Sequence, residues 1–255
     1  MTDTHCHLNL TEHFPDPTPA VDRGLAAGVQ RLIVVGLDDE TSRIAVDLAV
    51  QFESVFACVG WHPTSAAKFE STDEIERLCG HPKVVAIGEI GLDYHWDYST
   101  PEQQRVSLEA QWGLACQLGL PVVFHCREAY DDLLDWLEAQ ESFPPSCVFH
   151  CFAGDASHAK RGLALPTDVF FGVDGPVTYK NAAGLREIVG GLPRESLLLE
   201  TDSPFLTPHP HRGKPNEPAM IPLICEGVAS VLGITAEKCS ELTDASARRA
   251  FPRLV

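Results

Sequence analysis

The sequence predicts an α/β fold, a (β/α)8 TIM barrel with extra C-terminal helices. Three observations predict it: eight short β-prone runs, helical patterns between most of them, and a length of 255 residues, which suits such a barrel. An open doubly wound sheet is the alternative. That fold would be expected to carry a glycine-rich phosphate loop after the first strand, and none is present there. One barrel domain over residues 1–255 is therefore expected.

The predicted strands are rich in Val, Ile, Phe and Leu and show little polar alternation, which is typical of strands buried on both faces. The first run has the weakest β-prone composition. In chain order the runs are Thr2–Leu8, Arg31–Leu37, Val55–Trp61, Val84–Leu92, Pro121–Cys126, Ser146–Phe152, Val169–Gly175 and Ser196–Asp202.

The predicted helices carry apolar residues at helical spacing. In the longest, Pro101–Leu118, Thr100 is the expected N-cap and Pro101 takes the first helical position. The last two predicted helices follow the eighth strand and are expected to pack outside the barrel. The segments are Ala20–Val29, Thr41–Phe52, Pro101–Leu118, Glu128–Ala139, Asp155–Leu163, Lys180–Val189, Met220–Leu232 and Ala236–Ala250.

Composition and charge limit the classes of protein to which this chain can belong. Hydrophobic residues make up 44% and charged residues 22%, as in ordinary globular proteins, and the formal net charge is −17. This charge argues against broad, non-specific coating of nucleic acid. No apolar run reaches the about 18 residues of a membrane span, and the first ten residues do not form a secretory signal. The nine scattered cysteines favour reduced thiols and a cytoplasmic location. No obligate protein partner is indicated.

Titratable side chains occur at the carboxyl ends of the predicted strands, where barrels of this type hold their active sites. His5 and His7 are two residues apart, so on a strand both imidazoles lie on one face, toward the barrel lumen. The same alternation directs Cys6, Cys126 and Cys151 to the opposite face, and these thiols are expected to pack and to bind no metal. The other candidates at strand ends are His62, Glu89, Asp93, His125, His150, Glu200 and Asp202.

So many buried titratable groups would be costly without a partner. A cation removes that cost because it neutralises carboxylates and binds neutral imidazoles. A glutamate can bridge two metals with its two oxygens, so the pattern suggests a binuclear site that activates water for hydrolysis. Four imidazoles suit Zn or Mn better than Mg.

Seven strings occur in order at these positions: DTHCHL, VGWHP, GEIGLDY, LPVVFHCREA, VFHCFAG, LLLETDSPFL and RGKPNEPA. Together they closely resemble the TatD family of metal-dependent deoxyribonucleases, in the amidohydrolase superfamily. The resemblance implies two divalent metal ions, usually Mg or Mn, with Glu89 as their bridge. It implies that Asp202 both binds metal and accepts the proton of the attacking water. The implied ligands are His5, His7, Glu89, His125, His150 and Asp202.

The resemblance also implies hydrolysis of phosphodiester bonds in DNA, often from the 3′ end of single strands, with RNA as a further substrate of some members. Glu200 is a further candidate catalytic carboxylate. Basic side chains after the strands could hold phosphates, and aromatic ones could stack on bases, whereas Trp61 is expected in the core. The candidate substrate-binding residues are His62, Arg127, Tyr94, Trp96, Arg212 and Lys214, and Lys180 is a further basic candidate.

Two other functions remain open. The first is a small-molecule amidohydrolase or phosphoesterase on the same barrel. Many such relatives use a carbamylated lysine on the fourth strand, but Lys83 lies at the wrong end of that strand. The second is a metal-bound interaction protein without catalysis.

The strand-seven region departs from the small residues usual in the family, because it carries Asp174 and Pro176.

Overall fold

Eight parallel strands form a nearly closed barrel in the computed structural model, which describes residues 1–254. Each strand pairs with its sequence neighbours, and the seam from β8 back to β1 is held by a parallel bridge between Cys6 and Ser203. The predicted TIM barrel is confirmed. The strands are β1 Thr2–Cys6, β2 Arg31–Val35, β3 Val55–Val59, β4 Val84–Asp93, β5 Val122–Arg127, β6 Ser146–Phe149, β7 Asp168–Val173 and β8 Leu197–Leu199.

Helices surround the barrel, and several begin at side-chain caps. The predicted cap of α4 is confirmed: the Thr100 hydroxyl accepts from the Gln103 backbone N–H at 3.3 Å. No single helix among residues 1–254 has both the length and the apolarity to cross a membrane. The helices are α1 Thr18–Ala26, α2 Asp39–Gln51, α3 Asp73–Cys79, α4 Pro101–Leu118, α5 Tyr130–Glu138, α6 Ala156–Leu163, α7 Ala183–Gly191, α8 Ile221–Leu232 and α9 Ala236–Ala250.

The sequence pattern does not predict α3. This helix has seven residues, of which Ile75, Leu78 and Cys79 are buried. A helix of two turns repeats its apolar face too few times to give a periodic signal. A 3₁₀ segment, Pro63–Lys68, lies between β3 and α3.

β4 contains an irregularity that aims Glu89. Ile87 pairs with Val122 and Ile90 pairs with Phe124, so β4 has one residue more than β5 over this stretch. Ile87 and Ile90 both pack in the outer core, while Glu89 between them faces the lumen. The extra residue is a β-bulge, and it changes which positions point inward.

Two apolar cores fill the molecule. The larger lies between strands and helices, and the smaller lies in the amino-terminal half of the lumen. Phe251 and Leu254, which follow α9, join Phe56 and Phe170 of the strands in the smaller core. The C-terminal segment thus closes one end of the barrel, which leaves the carboxyl ends of the strands for a polar site. The last two helices were expected to pack outside the barrel. This expectation is wrong for the end of α9 and the residues after it, which enter the smaller core.

Candidate metal centre

Six side chains converge at the carboxyl end of the barrel, where neighbouring strand ends bring them together. Five of them are buried, and the side chain of His125 is 16% exposed. They come from β1, β4 and β5 and from the segments directly after β1, β6 and β8. The six are His5, His7, Glu89, His125, His150 and Asp202, the ligand set that the family resemblance implies.

Glu89 lies between two groups of imidazoles and presents a different oxygen to each. Its Oε1 is 2.9 Å from Nδ1 of His125 and 3.0 Å from Nε2 of His150. Its Oε2 is 3.3 Å from Nε2 of His5 and 3.9 Å from Nε2 of His7. One carboxylate therefore presents a different oxygen to each of two pairs of imidazoles, and the rings of His5 and His150, one from each pair, stack at 3.8 Å.

Asp202 completes the set on the Oε2 side. Its Oδ1 is 3.3 Å from Nε2 of His7 and 3.9 Å from Nε2 of His5. Asp202 lies three residues beyond the end of β8 and has φ of 53°, in the left-handed region. Its inward direction therefore comes from this local backbone conformation and not from strand alternation.

The second nitrogen of several imidazoles is held by the protein. Nδ1 of His7 donates to the Val35 carbonyl at 3.0 Å, which leaves the lone pair of Nε2 toward the site. Nε2 of His125 donates to Oδ2 of Asp93 at 2.7 Å, which leaves the lone pair of Nδ1 toward Glu89. Such outer contacts fix the tautomer and ring orientation of metal-binding histidines.

Glu200 lies behind His150 and is fully buried. Its Oε1 is 3.3 Å from Nδ1 of His150 and accepts from the Cys151 backbone N–H at 2.6 Å. This position suits the orientation of His150, and Glu200 does not line the cavity above the ligands.

Nε2 of His62 also faces Glu89, but it carries a proton and not a lone pair. The Thr64 backbone N–H donates to Nδ1 of His62 at 3.1 Å, so the proton of the neutral ring must lie on Nε2. Burial and the neighbouring His125 lower the pKa of His62 to about 3, so the ring is neutral. In this tautomer Nε2, 3.7 Å from Oε1 of Glu89, carries a proton and offers no lone pair to a metal ion, although His62, Glu89 and His125 lie close enough together to form a metal-binding group.

The charges and unpaired atoms of the cluster fit divalent cations. Burial raises the pKa of Glu89, but the imidazoles of His150 and His5 lower it well below its usual range, so the carboxylate is ionised. Nε2 of His5 and Nε2 of His7 are 3.3 Å apart, and Nδ1 of His5 is buried without a hydrogen-bond partner. Imidazole and carboxylate donors converging in this way suit Zn, Mn or Mg in mixed sites.

Comparisons with known proteins show to which family the chain belongs. The family described as TatD related DNase matches residues 2–252. The chain belongs to this family. A Bacillus subtilis relative, described as the uncharacterized metal-dependent hydrolase YabD, is 39% identical, and the match covers 98% of both chains. The Escherichia coli K12 relative, described as the 3′-5′ ssDNA/RNA exonuclease TatD, is 34% identical, again over 98% of both chains.

A solved structure shows the same fold. The crystal structure of YJJV, a TatD homologue from Escherichia coli, has a TM-score of 0.92 and 30% identity, and the match covers 99% of this chain and 98% of that one. The predicted TatD family membership is confirmed, and the chain is a metal-dependent hydrolase.

Above the ligands of this TatD family member lies a cavity of about 570 Å³. Of the predicted substrate-binding residues, His62, Trp96 and Arg127 line it. Tyr94 instead donates its hydroxyl to Asp132 at 2.9 Å in a neighbouring groove. The remaining basic candidates lie away from the cavity lining, among them Arg212, whose guanidinium stacks on the ring of Tyr179 at 4.0 Å.

Sequence reasoning did not single out Tyr98 and Phe205 as site residues, although both line the cavity. It noted Asp93 at a strand end but gave it no role. The available signal for Asp93 was its place four residues after Glu89 on the same strand. For the two aromatic residues the sequence offered only their position in segments after β4 and β8.

The cysteines depart from the expectation at one place. Cys6 packs in the outer core and donates to the Ile33 carbonyl at 3.4 Å, and Cys126 also lies in the outer core. Cys151 lies beyond the end of β6 with φ of 44°, its thiol contacts Asp174, and it lines the cavity above the ligands. Alternation does not apply past the end of a strand, so the predicted direction of Cys151 is wrong. Among residues 1–254 no cysteine belongs to a group that could hold a metal.

Asp174, in the segment directly after β7, is buried beside this thiol. Burial and the carboxylate of Glu200 raise the pKa of Asp174 to about 7. Its Oδ2 has no hydrogen-bond partner. This chain therefore adds a buried carboxyl group behind the site without adding it to the cavity lining.

Proposed function

We propose that this chain is a nuclease that uses two divalent metal ions, Mg or Mn, to remove nucleotides from the 3′ end of single-stranded DNA, with RNA as a weaker substrate. The observation that carries the proposal is the position of Glu89, whose two oxygens face two separate sets of imidazoles. The description of the Escherichia coli relative as a 3′-5′ ssDNA/RNA exonuclease supports the substrate and direction.

The residues divide into two metal sites that share Glu89. His5, His7 and Asp202 would hold one ion with Oε2 of Glu89, and His125 and His150 would hold the other with Oε1. When bound, such ions polarise the phosphoryl oxygen, generate a nucleophile from water and stabilise the leaving alkoxide.

Asp202 would accept the proton of the attacking water. Burial raises its pKa, but the hydrogen bond with His7 and the charges of the neighbouring imidazoles lower it below its usual value, so the carboxylate is ionised at neutral pH. Asp202 also lines the cavity, whereas Glu200 lies behind His150. We therefore assign the general base to Asp202 and orientation of His150 to Glu200.

Two side chains around the ligands suit a phosphodiester. His62 directs its Nε2–H into the cavity and can donate to a phosphoryl oxygen. Arg127, at the end of β5, lines the same cavity and supplies a positive charge. For Tyr94, Arg212 and Lys214 a substrate contact stays a prediction.

The position of Lys83 disfavours a carbamylated-lysine hydrolase. Its Nζ donates to the carbonyls of Ala49 and Phe52 at 2.8 and 2.7 Å, at the amino-terminal end of β4. It cannot bridge metals at the opposite end of the barrel.

The test is cleavage of single-stranded DNA labelled at the 5′ or the 3′ end, with Mn²⁺, with Mg²⁺ and with a chelator. The 5′-labelled strand should shorten one nucleotide at a time, and the 3′ label should be released as a mononucleotide at once. No cleavage with either metal would contradict the proposal, and internal fragments from both labels would contradict the exonuclease assignment.

A further inference from the structure

The exposed aromatic side chains of this molecule are gathered at one place. Seven large hydrophobic side chains are exposed among residues 1–254, and three of these are aromatic: Trp96, Tyr98 and Phe205. All three line the cavity above the metal ligands. A scattered set of exposed apolar residues needs no explanation, but a set gathered on one functional cavity indicates a binding surface.

Trp96 and Tyr98 form a stacked pair. Their ring centroids are 5.6 Å apart and the rings are inclined by only 14°, with Trp96 45% and Tyr98 65% exposed. Phe205, in the segment after β8, lines the same cavity and lies 6.2 Å from the ring of His7. The cavity therefore carries this stacked pair, here called the platform, on the segment after β4 and a third ring on the segment after β8.

The platform is fixed relative to the ligands by Asp93. Its Oδ1 accepts from the backbone N–H groups of His95 and Trp96 at 2.9 and 3.0 Å, while its Oδ2 holds His125. A single buried carboxylate thus anchors both a metal-binding imidazole and the start of the aromatic segment. A group stacked on the platform would have a defined distance from the reacting phosphate.

The groups beside the aromatic pair match the chemistry of a nucleotide, which has an anionic phosphate and a flat base. The guanidinium of Arg127 lies 5.8 Å from the ring of Trp96, so a cation and an aromatic face occur side by side. With a net charge of −17, the molecule offers a polyanion no long-range attraction, and short-range stacking must supply more of the affinity. Bases inside a duplex are already stacked on both faces, so a base inside the strand can stack on the platform only where it is unpaired.

We infer that Trp96 and Tyr98 form a stacking subsite for an unpaired nucleobase near the reacting 3′ end, with Phe205 as an apolar wall on the other segment. This inference rests on the proposed function and adds to it the reason for single-strand preference: the subsite recognises the exposed face of a base. Base–aromatic stacking typically changes affinity by roughly 5- to 150-fold per base.

The test measures binding separately from cleavage. The probe is an eight-nucleotide DNA with phosphorothioate linkages and a 5′ fluorophore, added to the Mn²⁺-loaded protein and followed by anisotropy. Trp96→Leu and Tyr98→Leu keep an apolar side chain but lose the aromatic face, and each should weaken binding at least fivefold. Tyr98→Phe keeps the face and should bind as the unsubstituted protein does. Val106→Ala, an exposed position on α4, serves as a control for lost apolar surface.

A second set of probes carries one abasic residue, moved stepwise from the 3′ end. At one position the abasic probe should bind the unsubstituted protein several-fold more weakly, and the Tyr98→Leu variant should not distinguish it from the full probe. Unchanged binding by both leucine variants, or an abasic penalty that persists in them, would overturn the subsite. The protein could fail to cleave DNA while the abasic probe still binds more weakly to the unsubstituted protein but not to Tyr98→Leu. That result would contradict the proposed nuclease activity and leave the subsite in place.

Discussion

Replacing Asp93 by asparagine should remove metal from one side of Glu89 without unfolding the protein. Oδ1 of Asp93 accepts from the backbone N–H groups of His95 and Trp96, and Oδ2 accepts from Nε2 of His125. The single amide oxygen of asparagine is required by the two backbone donors. Its NH₂ group would then face Nε2 of His125, which must become an acceptor.

This exchange would move the proton of His125 to Nδ1, the nitrogen that lies 2.9 Å from Oε1 of Glu89. A protonated Nδ1 has no lone pair for a metal ion. Burial raises the pKa of Asp93, but the hydrogen bonds from His125 and Trp96 lower it to about 2, so the substitution also removes a full negative charge. Loss of such an outer partner typically costs 10- to 100-fold in metal affinity, or about 1.4 to 2.8 kcal/mol.

Calorimetric titration with Mn²⁺ measures this effect. The Asp93→Asn variant should show one site with nearly unchanged affinity and one site weakened by roughly 10- to 100-fold. Asp132→Asn is the matched control, because it removes a neighbouring carboxylate that accepts from Tyr94 and does not touch His125. Two sites of unchanged affinity in Asp93→Asn would refute the tautomer argument, and equal weakening of both sites would point to general loss of structure.

Three further results are expected. Asp202→Asn should slow single-turnover cleavage by roughly 10²- to 10⁴-fold while most of the metal is retained. Glu89→Gln should instead lose activity and metal together. Near-normal cleavage by the fully metal-loaded Asp202→Asn variant would exclude Asp202 as the base. Burial lowers the pKa of His150, but the charges of Glu89 and Glu200 raise it well above 6.5. Metal must therefore displace a proton, and its affinity should rise with pH above 6.5 with proton release in calorimetry; a flat pH profile would argue against this. Phe251→Ala should lower the free energy of unfolding in urea by about 3–5 kcal/mol, because it empties the closed end of the barrel, and a loss below about 1 kcal/mol would show that this end repacks.

The barrel and its ligands could be predicted because both depend on repeated or paired patterns. Eight buried runs in one order leave few alternatives to a closed parallel sheet, and parallel strands bring their carboxyl ends to one side. Alternation predicts that His5 and His7 share a face, and both reach the site, although β1 has a register shift between Asp3 and Cys6 and His7 lies just beyond the strand. The closed end of the barrel and the short helix α3 carried no such pattern.

Other features depend on local backbone geometry that residue types do not encode. The bulge in β4 aims Glu89 inward, and its position follows from pairing with β5, not from the residues of β4 alone. Cys151 and Asp202 both adopt the left-handed conformation just beyond strand ends, where alternation no longer holds. Trp96 and Tyr98 line the same cavity as Phe205, which is more than one hundred residues away in the sequence. Only the folded chain brings these side chains to one cavity.

The shared role of Glu89 can be tested most directly by anomalous diffraction from crystals soaked in Mn²⁺. Two peaks are expected, one between Oε2 of Glu89 and the pair His5 and His7, the other between Oε1 and the pair His125 and His150. A single peak bound by only one oxygen of Glu89, or a peak with Nε2 of His62 among its ligands, would contradict the account.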